Sequence, residues 1–384
     1  MSTPRPLEEF VPDWAAITAV ILGVTAFAVA QGLTYPLISL ILESRRVSES
    51  VIGLNASAFA AGLATATLVI GRLTARLAGD KLIVAGLIGS SACLAAFAAF
   101  DSIWVWFAAR YVLGFCVSVI FMLSEAWLNA ACPNRLRGRI SGIYGAGMCA
   151  GFAAGPLAIP LFGSDSGFAF ALVAVYLALI AFGTAILSRR ARTRPEPSPA
   201  GALLRFARGA PILVGMVLAF GFADIAAISA MPVYFVQTGH SEAFAALSVT
   251  ALALPTALAQ PVVGVLLDKV SRPSVAVVSA LIAGSSFLAI PLLQSEVAIL
   301  AVFAVMGAAS FALYTCALTL LGEHYSGGLL VAGSAVFALA YAIGSGVGAT
   351  MTGFAMDLFT PAAGPLSAGL LLLAFGVLVA LRRG

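Results

Sequence analysis

Residues 71–81 read Gly-Arg-Leu-Thr-Ala-Arg-Leu-Ala-Gly-Asp-Lys, and residues 264–273 read Gly-Val-Leu-Leu-Asp-Lys-Val-Ser-Arg-Pro. Each is a short basic turn between two apolar runs, and the second begins 193 residues after the first. The same shift carries Arg76 onto Lys269, Gly114 onto Gly307, Ser141 onto Ser334, Gly151 onto Gly344 and Gly155 onto Gly348. Near the first apolar run the shift becomes 196 and pairs Pro36 with Pro232. One glycine match means little in a chain with 38 glycines. A shift held nearly constant over several runs marks an internal duplication.

Outward from these turns, the chain is 61% hydrophobic and 9% charged, with a mean hydropathy of +1.07. That is too little charge to wet the surface of a soluble protein of this length. Twelve apolar stretches follow one another, at 14–42, 51–75, 81–100, 103–127, 138–163, 167–188, 211–236, 243–267, 274–293, 296–321, 328–356 and 364–381. Each can cross about 30 Å of hydrocarbon at about 1.5 Å per residue. Hydrocarbon offers no partner to free backbone groups, so each stretch is expected to be a helix. None alternates with the period of two that a β-barrel strand needs. The first is too long for the apolar part of a signal peptide and follows Glu8, Glu9 and Asp13, so it is expected to remain as a first span.

The charges sort by side. All of the 20 basic residues except Arg45, Arg46 and Arg110 fall at the termini or in one alternate set of loops. The positive-inside rule then puts both termini in the cytoplasm, as an even number of crossings requires. The longest break, 189–210, is basic and proline-containing and lies between the sixth and seventh stretches. It divides the chain into an expected six-helix bundle at 1–188, a cytoplasmic linker, and a second bundle at 211–384. The basic run is read as a topology determinant touching anionic lipid rather than a nucleic-acid site.

Catalytic and cofactor signatures are missing. There is no Gly-Lys pair for a nucleotide-binding loop, no GxSxG and no HExxH. Cys93, Cys116, Cys132, Cys149 and Cys316 form no CxxC pair and read as reduced packing residues, and His240 and His324 build no metal cluster. No enzyme, cofactor or resident metal is expected, and a monomer is.

At this point a family resemblance becomes specific. The two basic turns resemble the loop signature GxLxDRxGRR of the major facilitator superfamily. The second copy keeps Gly264, Leu266, Asp268, Lys269 and Arg272; the first keeps Gly71, Leu73 and Arg76 but has Ala75 and Gly79 at an acidic and a basic position. The resemblance implies a role in the cytoplasmic gate, with the glycines letting helices approach closely. Arg110-Tyr-Val-Leu-Gly-Phe115 is similar to the family's RxxxG element, often linked to proton coupling. Gly147, Gly151, Gly155 and Pro156 resemble part of its antiporter signature GxxxGPxxGG, although the chain continues Leu-Ala-Ile-Pro160; plain helix packing explains the ladder equally well. Ser124-Glu-Ala-Trp-Leu-Asn129, with Arg135-Leu-Arg-Gly-Arg139 and the stretch from Gly307 to Gly348, looks like the YcaD-like branch of bacterial facilitators. The resemblance implies an all-α membrane fold of twelve transmembrane helices in two pseudosymmetric six-helix bundles.

Ionisable groups inside a span cost about 3 kcal/mol or more unless paired or wet. Arg110 and Asp224 come out at similar depth, each roughly 10 Å from the extracytoplasmic side. In the family's fold their spans line the central cavity, so the two are expected to face each other. Asp224 then reads as a proton-titratable or cation-binding group coupled to Arg110, or else as half of a static ion pair, or as an aspartate capped by Ser229 or a tyrosine. Glu125 lies about 22 Å along the helix from Arg110 and is expected near the cytoplasmic end, with Arg72, Arg76 or Arg139 as a gate partner. Gln31, Tyr35, Tyr234, Tyr314 and Tyr341 offer polar tips for solute contact or interhelical hydrogen bonds. Pro36 and Pro232 are expected to kink the first and seventh spans.

These readings together predict a secondary transporter of a small organic solute, proton-coupled and exporting, in the inner membrane. A passive uniporter, an importer and a non-transporting receptor are the alternatives.

Overall fold

The computed structural model describes residues 11–133, 136–163, 167–195, 203–325 and 327–381. Among them, twelve helices are long and apolar enough to cross a membrane. They are α1 (Trp14–Ser44), α2 (Glu49–Thr74), α3 (Gly79–Ala99), α4 (Ile103–Ala131), α5 (Arg137–Ala154, carried on by a 3-10 turn and Ala158–Phe162) and α6 (Phe168–Arg190). After a short linker helix, Leu203–Gly209, come α7 (Pro211–Ile225, a π-helical stretch Ala226–Ala230, then Met231–Gln237), α8 (Glu242–Lys269), α9 (Arg272–Ala289), α10 (Glu296–His324), α11 (Gly327–Leu358) and α12 (Ala363–Leu381). Every apolar run predicted from sequence is one of these helices. Their ends agree with the runs to within a few residues, and caps sit in the polar turns: Asp13 accepts from the Ala16 amide at 3.2 Å, and Ser241 from Phe244 at 3.1 Å.

The chain folds the same way twice. In the first half α1 packs on α5, α2 on α4, α3 on α4 and α3 on α6; in the second, α7 packs on α11, α8 on α10, α9 on α10 and α9 on α12. The halves meet along α2–α11 and α5–α8, a pair of contacts related by the same six-helix shift. Individual glycines repeat the relation. A Cβ on Gly151 would press on the Thr25 carbonyl, and one on Gly344 would strike the Leu218 carbonyl. Gly155 and Gly348 abut Val29 and Phe222, while Gly114 and Gly307 abut Phe59 and Leu252. Each partner, like each glycine, is displaced by 193. The ladder Gly147, Gly151 and Gly155 therefore brings the α5 and α1 backbones together.

The slip in offset from 193 to 196 falls between the pairs Val29/Phe222 and Pro36/Pro232, where α7 widens into its π-helical stretch. Pro232 thus follows an interrupted helix, whereas α1 runs through Pro36 as one α-helix.

The first part of the linker is bound down. Asp13 accepts from the backbone amides of Arg192 at 2.6 Å and Thr193 at 2.8 Å and from the Thr193 hydroxyl at 3.0 Å. The Trp127 indole donates to the Thr193 carbonyl at 3.0 Å, Arg194 pairs with Asp80, and Pro195 lies against Gly79. In the second half Arg272 binds Glu323, Nη2 to Oε1 at 2.6 Å. Shifted by 193, that pair falls on Gly79 and Ala130. In the first half the acid is Asp80, at the start of α3, and its cation comes from the linker.

Burial is the largest single influence on the Asp13 carboxyl and pushes it up. The amides of Thr193, Ala16 and Arg192 and the Thr193 hydroxyl together outweigh it and hold the group below its usual 3.8. A carboxyl depressed in the folded state contributes stability above its unfolded value and loses it as pH falls through the folded one. Asp13→Asn is therefore expected to lower thermal stability by about 2 kcal/mol near neutral pH. Below 3.8 the difference from wild type should shrink. A melting series against pH measures it, and equal curves would show that the strap carries no stability.

Candidate functional site

The groups predicted to line a central cavity come from both halves. On α4, Arg110 is 0% exposed. Its guanidinium lies 5.0 Å from the Tyr35 ring centroid and 5.9 Å from that of Phe59, and Nη1 reaches the Thr34 carbonyl at 3.5 Å, a long bond. Nε has no hydrogen-bond partner. On α7, half-buried Asp224 accepts from the Tyr341 hydroxyl of α11 at 2.7 Å. Tyr341 and Tyr314 flank Phe220, which lies one turn before Asp224, with centroids 5.7 Å and 5.1 Å away.

Arg110 and Asp224 form no ion pair, the static alternative read for Asp224. Of the alternatives read for Asp224, the tyrosine cap is the one found, and Ser229 instead meets Ser39 of α1 at 2.9 Å. Tyr35 lies within electrostatic range of both Arg110 and Asp224. Gln31 is one turn before Tyr35 on α1 and half-buried. Tyr234 is not part of this group: it sits in the last turns of α7 against Phe235.

Glu125 lies in the linker-side part of α4, which ends at Ala131. It is exposed, its electrostatic neighbours are Tyr144 and Tyr314, and among the described residues neither Arg72 nor Arg76 pairs with it. The side chains of Arg139, Gly264 and Asp268 lie outside the described residues. Lys269 is exposed at the end of α8. Gly71 does not serve a close approach: a Cβ there would meet nothing within 4 Å, whereas Gly79, which replaces a basic residue of the signature, is the tight position. Of the expected gate residues, Arg272 has an acidic partner, Glu323, and that partner belongs to its own half.

Sequence reasoning missed the seam that joins the halves at the ends opposite the linker. There Ser50 donates to Asp357 at 2.5 Å, the Ser57 hydroxyl meets the Gly346 carbonyl and the Thr350 hydroxyl at 2.7 Å each, Gln237 donates to Glu49, and Thr250 to the Ala153 carbonyl at 2.9 Å. Small hydroxyls in apolar runs carry no periodic signal, so these partners appear only once the halves are docked. Each such bond contributes about 1 kcal/mol, about fivefold in an open–closed equilibrium. Combining Ser50→Ala with Ser57→Ala is expected to raise labelling of a Ser229→Cys reporter by a membrane-impermeant maleimide more than tenfold. An unchanged labelling rate would mean that these bonds do not hold the seam shut.

Two repeated six-helix halves, charged groups on helices of both halves and a hydrogen-bonded seam between them are the architecture of a secondary transporter of small solutes. The family model of the Major Facilitator Superfamily matches residues 20–249 and 213–383, and the chain belongs to that family. It is 28% identical over 358 residues to the uncharacterized MFS-type transporter YfkF of Bacillus subtilis, covering 90% of this chain and 89% of the relative. It is 25% identical over 351 residues to the uncharacterized MFS-type transporter YcaD of Escherichia coli (strain K12 / DH10B), covering 88% of each. The crystal structure of the nucleoside transporter NupG superimposes with a TM-score of 0.74 at 13% identity, over 96% of this chain and 98% of that one, which shows the fold. The protein is a multi-pass membrane protein and a transporter rather than an enzyme.

Proposed function

We propose that the chain exports a small organic solute across the inner membrane in exchange for protons, by alternating access, with both termini in the cytoplasm. The halves 1–188 and 211–384 rock about the central cavity, and the linker 189–210 joins them on the cytoplasmic side. Seam bonds at the linker-distal ends support a state closed outward and open inward. Export is the direction the Gly151–Pro156 resemblance favours.

The observation that carries this reading is Asp224, a half-buried carboxylate with Tyr341 as its hydrogen-bond donor, placed just before the π-helical stretch of α7. Closing the halves over an unpaired carboxylate costs about 3 kcal/mol or more. A neutralised Asp224 carries no such penalty. The carrier therefore turns over with Asp224 protonated or with its charge matched by solute, and stalls when it is bare. That asymmetry is what converts a proton gradient into solute movement. Arg110, sealed behind Tyr35, keeps a fixed positive charge on the other half.

The test is flux in proteoliposomes for a solute found by thermal-shift screening, with and without an imposed pH gradient. Acceleration by a gradient of the exchanging sign supports the proposal. Flux indifferent to the gradient would identify a passive uniporter, and acceleration by the opposite gradient an importer.

A further inference from the structure

The wall around Asp224 is built from rings more than from donors. Phe220 lies nearly parallel to Tyr314, 27° between planes at 5.1 Å, with Tyr341 tilted on it at 5.7 Å. Phe311 sets its ring edge-on to Phe220 at 5.6 Å and to Tyr314 at 5.7 Å. Phe311, Tyr314 and Tyr341 are all half-buried, so part of each ring remains accessible beside Asp224. Glu125, exposed and within electrostatic range of Tyr314, adds a second carboxylate toward the cytoplasmic side.

Among the described residues, the basic groups on the other elements packed against α7 are exposed and lie at linker-side ends: Arg208 on the linker helix, Lys269 at the end of α8, His324 at the end of α10 and Arg72 near the end of α2. Helix α12 carries no ionisable side chain between Ala363 and Ala380. From α1 comes Tyr35 and from α11 Tyr341, while Arg110 is fully enclosed by Tyr35 and Phe59. A molecule in the cavity thus meets carboxylate and π faces, and does not reach the guanidinium.

We infer that the transported solute is a monovalent organic cation, an ammonium or amidinium group on an apolar body, whose charge sits at Asp224 among Phe220, Phe311, Tyr314 and Tyr341. Ring faces attract cations through their quadrupole, and a carboxylate beside them adds a full counter-charge. An anion would be repelled by Asp224 and Glu125. A neutral solute would leave the Asp224 charge unmatched. The inference rests on the central cavity being the solute site. One proton exchanged at Asp224 for one monovalent cation leaves net charge unmoved, so the exchange is electroneutral.

Binding to the purified full chain tests the charge preference without requiring transport. The probes share one ring and differ in charge: benzyltrimethylammonium and its naphthylmethyl homologue, neutral benzyl alcohol, and anionic phenylacetate. The cations are expected to bind at least about tenfold more tightly than the other two, and to lose about tenfold in affinity on Asp224→Asn and several-fold on Phe311→Leu. Equal affinity across the three charges, no cation binding at millimolar concentrations, or phenylacetate binding lost on Arg110→Gln would overturn the inference. In proteoliposomes the pH-driven flux of the bound cation should not change when the membrane potential is clamped at different values. Cation binding with no pH-driven flux would leave the cation site standing and overturn the coupling proposed above. Potential-dependent flux would overturn the one-for-one exchange.

Discussion

Asp224→Asn is expected to cut gradient-driven flux by about 100-fold while leaving the protein folded. Asparagine has almost the volume of aspartate, and its amide oxygen can still accept the Tyr341 hydroxyl now held at 2.7 Å. What it lacks is the charge, whose burial is worth about 3 kcal/mol, or about 100-fold in a rate or equilibrium. The variant behaves as if permanently protonated, so it can still reorient but has nothing to exchange. Asp224→Glu keeps a carboxylate but moves it by one methylene, and should retain part of the flux. Measuring uptake at several external pH values separates the cases. Wild-type rate and wild-type pH dependence in Asp224→Asn would remove Asp224 from the mechanism.

The second large effect concerns packing. Gly151→Leu is expected to destabilise the protein by about 3 kcal/mol, and Gly344→Leu to do the same in the other half. In both cases the new side chain meets backbone, the Thr25 carbonyl in one and the Leu218 carbonyl in the other, and backbone cannot rotate aside. Gly145→Leu on the same helix is the control, because a Cβ there meets nothing within 4 Å. Thermal unfolding in detergent, read with the fraction of monodisperse protein, checks all three. If Gly151→Leu melted with Gly145→Leu, the close approach of α5 to α1 would not be a source of stability.

These two cases differ in how much of them could be read from residue order. Gly151 and Gly344 stand out in the sequence because a duplication leaves a constant shift, and close helix packing demands a residue without a side chain at both copies. Asp224 also stands out, since a carboxylate within an apolar run is costly. Its partner does not. Tyr341 lies 117 residues away and is brought to it by the α7–α11 contact, whereas depth along the helices alone pointed to Arg110. Depth fixes one coordinate. Rotation of each helix about its axis fixes the other, and that is set by packing.

The linker shows the same division. Its basic composition was legible, but its attachment was not, because Asp13, Asp80, Trp127 and Arg194 are far apart in the chain. Arg194 reaches Asp80 from the linker, whereas the matching turn of the second half pairs its own Arg272 with Glu323.

Residue order by itself determined twelve membrane-spanning helices, their doubling, and which side carries positive charge. Each follows from a one-dimensional quantity: length of apolar run, constant shift, or charge per loop. Tertiary structure alone decided that Asp224 is held by Tyr341, that Arg110 is enclosed by aromatic rings, and that hydroxyls seal one end of the seam. Those outcomes depend on the angle at which each helix face meets its neighbour, which no run of letters along a single helix contains.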